Sequence, residues 1–269
     1  MEQSKLIETI KINPNAIAYI SNPTDEMKLL AVKNNGLTLQ YIEHPTREMQ
    51  EAAIDNNARA IQFINDPTED MMIKAINDGW IYLEYIKNPT DKLVKLAINQ
   101  AGWAIRYVDE PSEEMQLLAV RKNYDSIRYI KEPCGSVQEE AVKISYDALR
   151  YINSPTHDAE LLAVRQNEQA VRLINDVDSN KMLEFLQVNI LAIKYAMKEI
   201  EIPKAELEQV LKDVLSKEDV EEKYVRDYLN CSVIDKNSDI MPMDKIMFIH
   251  EYGSKKAKKI AVDEKLKIK

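Results

Sequence analysis

Three histidines, two cysteines and 45 acidic residues are what this 269-residue chain offers for acid–base, nucleophilic or metal chemistry. His44, His157 and His250 stand at no metal-ligand spacing to one another. Cys134 and Cys231 have neither the close pairing of a zinc site nor that of a disulfide framework. No GxSxG elbow, P-loop or HExxH pattern occurs, and five glycines leave little for a phosphate-cradling loop. Paired carboxylates such as Glu113 and Glu114 recur at helix starts, where they answer the positive end of the helix dipole. The expectation is a non-enzyme with no catalytic residues, no metal and no cofactor, and with His44 and His157 solvated in turns.

Two groups of residues could instead recognise a partner. Trp80, Trp103, Tyr124 and Tyr146 stand in turns where other segments have Gly36, Ala58 or Glu168, beside Arg121 and Lys143. Tyrosine, tryptophan and arginine dominate interface hot spots. The second group is a ladder, Arg106, Arg128, Arg150 and Arg172 followed by Lys194, where earlier segments have Gln40, Gln62 and Glu84. Asp125 and Asp147 stand three residues before Arg128 and Arg150, a spacing that neutralises charge on a helix surface.

The spacing of these residues is set by a period. Pro23, Pro45, Pro67, Pro89, Pro111, Pro133 and Pro155 are each 22 residues apart, and eight residues after every one comes alanine, from Ala31 to Ala163. A fixed period of this length signals a stacked array. Met27, Ala31 and Val32 share one helical face, which predicts a first helix, and Ala60, Ile61, Phe63 and Ile64 predict a second, α-helical and about two turns long. Only "WIYLEYI" also fits a strand. Proline ends the second helix, and the following Thr24, Thr46, Thr68, Thr90, Ser112 or Thr156 caps the next first helix. Pro133 is followed by Cys134 and Gly135, so the spacing Ser136 to Glu139 predicts a later start there.

Degenerate copies from Met1 and from Val177 extend the array to nine repeats over residues 1–198. The predicted fold is all-α: a right-handed-type α/α solenoid of about nine 22-residue helix-turn-helix repeats with a small helical C-terminal region at 199–269. The column Tyr41, Phe63, Tyr85, Tyr107, Tyr129, Tyr151 and Leu173 is expected in the core between layers. Beyond Pro203, helices are expected over "AELEQVLKDVLS", from Ser216 and Asp219 to about Cys231, and over "MPMDKIMFIHEYG". The last stretch, with seven lysines, is expected to be a solvated terminal helix or frayed tail.

The segment "AVKNNGLTLQYIEHPTREMQEAAIDNNARAIQFI" resembles a short repeat of bacteria, large phages and some protists, catalogued as a domain of unknown function. The resemblance lies in the Ala-Val/Ile pair, the Asn-rich turn and the Ala-Ile-x-Tyr cluster, over residues 1–198. It implies an α-helical array, often in mobile or viral genomes, and suggests a phage-encoded inhibitor of a host defence protein.

Net charge of −9 argues against non-specific adhesion to nucleic acid. Apolar runs are short and the first ten residues do not resemble a signal peptide, so a cytoplasmic protein with no membrane contact is expected. The functional expectation is a scaffold whose middle and later repeats bind a protein partner. The alternative is a nucleic-acid binder using the arginine ladder and the lysine-rich end, and self-association through the end repeats is a third class.

Overall fold

A computed structural model describes residues 2–196, 200, 202–239 and 241–267, without the side chains of Glu2 and Lys267. Among these residues the architecture is an all-α array of two-helix repeats. The first helices are α1 (Glu2–Ile12), α2 (Asp25–Asn34), α3 (Arg47–Asn56), α4 (Glu69–Asp78), α5 (Asp91–Gln100), α6 (Glu113–Lys122), α7 (Gly135–Ile144), α8 (His157–Gln166) and α9 (Ser179–Val188). Each is followed by a second helix, in order Pro14–Tyr19, Gly36–Tyr41, Ala58–Phe63, Trp80–Tyr85, Gly102–Tyr107, Tyr124–Tyr129, Tyr146–Tyr151, Glu168–Leu173 and Ile190–Ala192.

These second helices are 3₁₀ helices, not the α-helices expected; only the last runs on into an α-helix, α10 (Ile193–Ala196). The "WIYLEYI" segment belongs with the others as the 3₁₀ helix Trp80–Tyr85, not as a strand. Three residues per turn sort each segment into three rows. In the third repeat Ala58, Ile61 and Ile64 form the row facing the core, whereas Arg59 is exposed and Gln62, on the same row, half-buried. Ala60 and Phe63 form the row between them. Its first member is buried and its second half-buried.

Thr24, Thr46, Thr68, Thr90, Ser112 and Thr156 cap their helices as predicted, each hydroxyl accepting from the backbone N–H three residues on. At Cys134 the helix starts on schedule at Gly135, not later, although Cys134 supplies no side-chain cap bond. Gln138 supports that turn instead. Its amide donates to the Pro133 carbonyl at 2.9 Å and its Oε1 accepts from the Thr156 N–H at 2.8 Å.

The repeated alanines, Ala31 to Ala163, are fully buried. Such small side chains permit close helix approach. Between helices of a repeat, Asn35, Asn57, Asn167 and Asn189 turn the chain by accepting from the N–H two residues on. Polar residues at the ends of first helices also tie neighbouring repeats. Asn56 donates to the Lys33 carbonyl at 3.0 Å and Gln166 to that of Lys143 at 3.0 Å, satisfying carbonyls that a helix end leaves open.

The chain divides into two compact units, Met1–Glu132 and Pro133–Lys269. The first holds six repeats; the second holds the last three and the C-terminal region. The boundary expected where the period ends, at 198 and 199, lies outside the described residues.

Within the second unit follow α11 (Lys204–Leu215), α12 (Glu222–Asn230), a short parallel pair β1 (Ile234–Asp235) and β2 (Met241–Pro242), α13 (Lys245–Tyr252) and α14 (Lys255–Lys267). The stretch from Ser216 to Asp219 is a turn, and α12 starts at Glu222, later than expected. The C-terminal region docks on the ninth repeat. α11 packs on α9, and the buried Tyr224 hydroxyl donates to the Leu186 carbonyl at 2.7 Å. No helix among the described residues is long and apolar enough to cross a membrane.

Candidate functional site

Because the 3₁₀ segments turn every three residues, the ladder position falls on the solvent row and the aromatic position on the row beside it. Arg106, Arg128, Arg150 and Arg172 are all exposed. The aromatic column is not core, contrary to expectation. Tyr85, Tyr107, Tyr129 and Tyr151 are half-buried, and Tyr41 is 46% exposed. A ring at the end of a six-residue helix reaches past the small buried residue three positions earlier and lies along the edge of the stack.

In the first unit this brings Arg106 over aromatic faces. The Arg106 guanidinium lies 4.1 Å from the centre of the Tyr129 ring and 5.9 Å from that of Trp80. Its Nη2 also donates to the Tyr129 hydroxyl. Trp80 and Tyr107 meet at 6.3 Å between ring centres. The Tyr107 phenol is pushed up from its ordinary pKa, first by burial and then by the nearby Glu84 carboxylate. Trp80, expected in a separate turn patch, thus joins the ladder.

Trp103 stands one position later in its repeat than Trp80, Tyr124 and Tyr146, so it belongs to the solvent row, not to their column. It is 37% exposed, and its Nε1 donates to Asp125 Oδ1 at 2.9 Å. The other oxygen of Asp125 accepts from Arg128 at 3.1 Å. The chain Trp103, Asp125, Arg128 therefore crosses from one repeat to the next. Tyr124 is half-buried and Arg121 exposed at the end of α6.

In the second unit Arg150 is bound by Asp147 at 2.8 Å, and this bond raises its already high pKa. Lys143 lies 3.9 Å from Glu139 and Tyr146 is half-buried. Arg172 repeats the stacking relation, 4.8 Å from the centre of the Tyr195 ring in the next repeat. With Lys194, Asn175 and Asp176 these two line a groove of about 660 Å³. Lys194 lies 3.7 Å from Glu168.

The ladder is therefore not a row of free cations: its members are shared between carboxylates and ring faces. The i, i+3 pairing of Asp125 and Asp147 was legible from spacing, whereas the stacking on Tyr129 and Tyr195 needed the three-residue turn. His157 is not merely solvated, since Nε2 lies 2.6 Å from a Glu184 oxygen and Nδ1 3.9 Å from Glu160. His44 sits in a left-handed turn before proline at φ 50, like Asn22 and Asn88. Among the described residues no group of three histidine, cysteine or acidic side chains is placed to hold a metal ion.

No family model, curated protein or solved structure matches the chain.

Proposed function

We propose that this chain is a non-enzymatic repeat scaffold that binds a protein partner through the aromatic and arginine rows of the fourth to sixth repeats. The observation that carries this is the cluster of Trp80, Arg106, Tyr107 and Tyr129, with Trp103, Asp125 and Arg128 beside it. Its side chains are held in place by one another, so little conformational entropy is lost when they are covered. Partly exposed rings next to fixed guanidinium groups are the composition of hot spots, not of a solvated helix face.

Two features favour protein over nucleic acid. Arg128 and Arg150 are engaged by carboxylates, and Arg106 covers the Tyr129 face on which a base would stack. The net charge of −9 also opposes phosphate. The test is capture of partner from lysate of the source cells by wild type and by the folded double variant Trp80→Ala, Trp103→Ala, followed by a salt titration. Loss of a specific protein from the variant supports the reading. Unchanged capture, or association with oligonucleotide that weakens steeply with salt, overturns it.

A further inference from the structure

The last fifteen residues carry seven lysines and two acids, a charge of +5, whereas the preceding residues carry −14. The expected terminal helix is present as α14, but it is neither frayed nor solvated all round. α14 is docked by one face: Ala257, Ile260 and Ala261 are buried against α12 and α13, and Glu264 binds Arg226 and Asn230. Ser254 caps its start, accepting from the Ala257 N–H at 3.2 Å.

At about 100° per residue the opposite face collects Lys255, Lys258, Lys259, Val262 and Leu266, with Lys265 at its edge. Val262 is 58% exposed and Leu266 63%. Met247 on α13 is 62% exposed and lines one groove with Lys265, at the edge of this face. Among the described residues none of these lysines forms an ion pair. Lys255, Lys256, Lys258 and Lys259 also crowd the first turns of the helix, where the dipole disfavours cations. A charge placement that costs local stability and gains no internal partner marks a surface kept for something outside the chain.

We infer that this face of α14 rests on an anionic lipid surface, with Val262, Leu266 and Met247 entering the headgroup layer and the lysines meeting lipid phosphates and carboxylates. A phosphate backbone would use the lysines but has no use for three exposed apolar side chains, and interfacial helices combine both. This is a peripheral contact, different in kind from a spanning helix and independent of the aromatic rows of the first unit.

The test is co-sedimentation of the full chain with vesicles of phosphatidylcholine alone and with about one third phosphatidylserine, at low and high salt. Binding to the anionic vesicles only, at least tenfold weaker for Lys255→Glu, Lys258→Glu, Lys259→Glu and severalfold weaker for Val262→Ser, Leu266→Ser, supports the inference. The glutamates suit a helix start, so circular dichroism should show the charge variant folded. Wild type left in the supernatant at low salt, equal binding by the charge variant, or binding of duplex or single-stranded oligonucleotide without vesicle binding overturns it.

Discussion

Arg106 of the fifth repeat lies with its guanidinium over the ring of Tyr129 in the sixth, 4.1 Å from its centre. The pair couples two repeats through the same rows proposed to meet a partner. Cation–π contacts at partly exposed sites contribute about 0.5–1 kcal/mol. A double-mutant cycle with Arg106→Ala and Tyr129→Leu, read by urea unfolding, should return a coupling energy in that range. Additive effects would mean that the stacking contributes nothing.

Gly36 and Gly102 are required by backbone approach. A Cβ at either would stand 2.2 Å from a carbonyl oxygen of the next first helix, that of Ala53 or Ala119. Gly36→Ala or Gly102→Ala should cost about 1–3 kcal/mol through overpacking. At Gly135 the nearest atom would be a Thr156 methyl at 3.8 Å, so Gly135→Ala should be neutral or stabilising by up to about 1 kcal/mol. Thermal unfolding of the three variants separates these outcomes.

Cys134 occupies the cap position without a cap bond, while the six equivalent hydroxyls all make one. Cys134→Thr should stabilise by about 0.5–1 kcal/mol and Thr90→Ala should destabilise by about 1 kcal/mol. Denaturant midpoints moving in opposite directions are the expected readout.

Ser126 is fully buried and, among the described residues, its hydroxyl has no hydrogen-bond partner, where other repeats have Ala60, Ala104, Ala148 and Ala170. Removing an unsatisfied buried hydroxyl recovers its desolvation cost, about 1 kcal/mol or more. Ser126→Ala should therefore raise the unfolding midpoint. A lower midpoint would show that the hydroxyl has a partner in solution.

Burial raises the phenol pKa of both Tyr224 and Tyr228 above the ordinary value of 10.0. Below pH 10 both the folded and the unfolded chain keep these protons, so the contribution is complete. As pH rises past 10 the unfolded chain releases protons that the fold retains, and stability falls by up to about 1.4 kcal/mol per pH unit for each phenol. The double variant Tyr224→Phe, Tyr228→Phe should be less stable at neutral pH, through loss of the bond to the Leu186 carbonyl, yet lose stability more slowly in alkali. Urea unfolding at pH 8, 10 and 11 checks the slopes.

The period of 22, the alanine at each close approach and the hydroxyl cap after each proline were legible because each follows from local chemistry that recurs. The helix type of the second segment was not. A cluster such as Ala60, Ile61, Phe63 and Ile64 fits an α-helix or a 3₁₀ helix equally well until the number of residues between the Asn cap and the next proline turn is considered. That ambiguity misplaced the tyrosine column in the core and hid the stacking of Arg106 and Arg172, whereas the one-position offset of Trp103 from Trp80 could have been counted from the prolines. The docking of α14 was hidden for another reason. Ala257, Ile260 and Ala261 form a narrow apolar stripe among lysines, and only the presence of α12 and α13 makes it a buried face.

The most direct test of the proposed interface is site-specific photo-crosslinking in the source cells, with a benzophenone amino acid in place of Trp103 or Arg128 on the rows and of Lys92 or Glu114 on the exposed first helices. One discrete protein adduct is expected from Trp103 and Arg128 and none from Lys92 or Glu114. Adducts of equal yield from all four positions, or from the first helices alone, would contradict it.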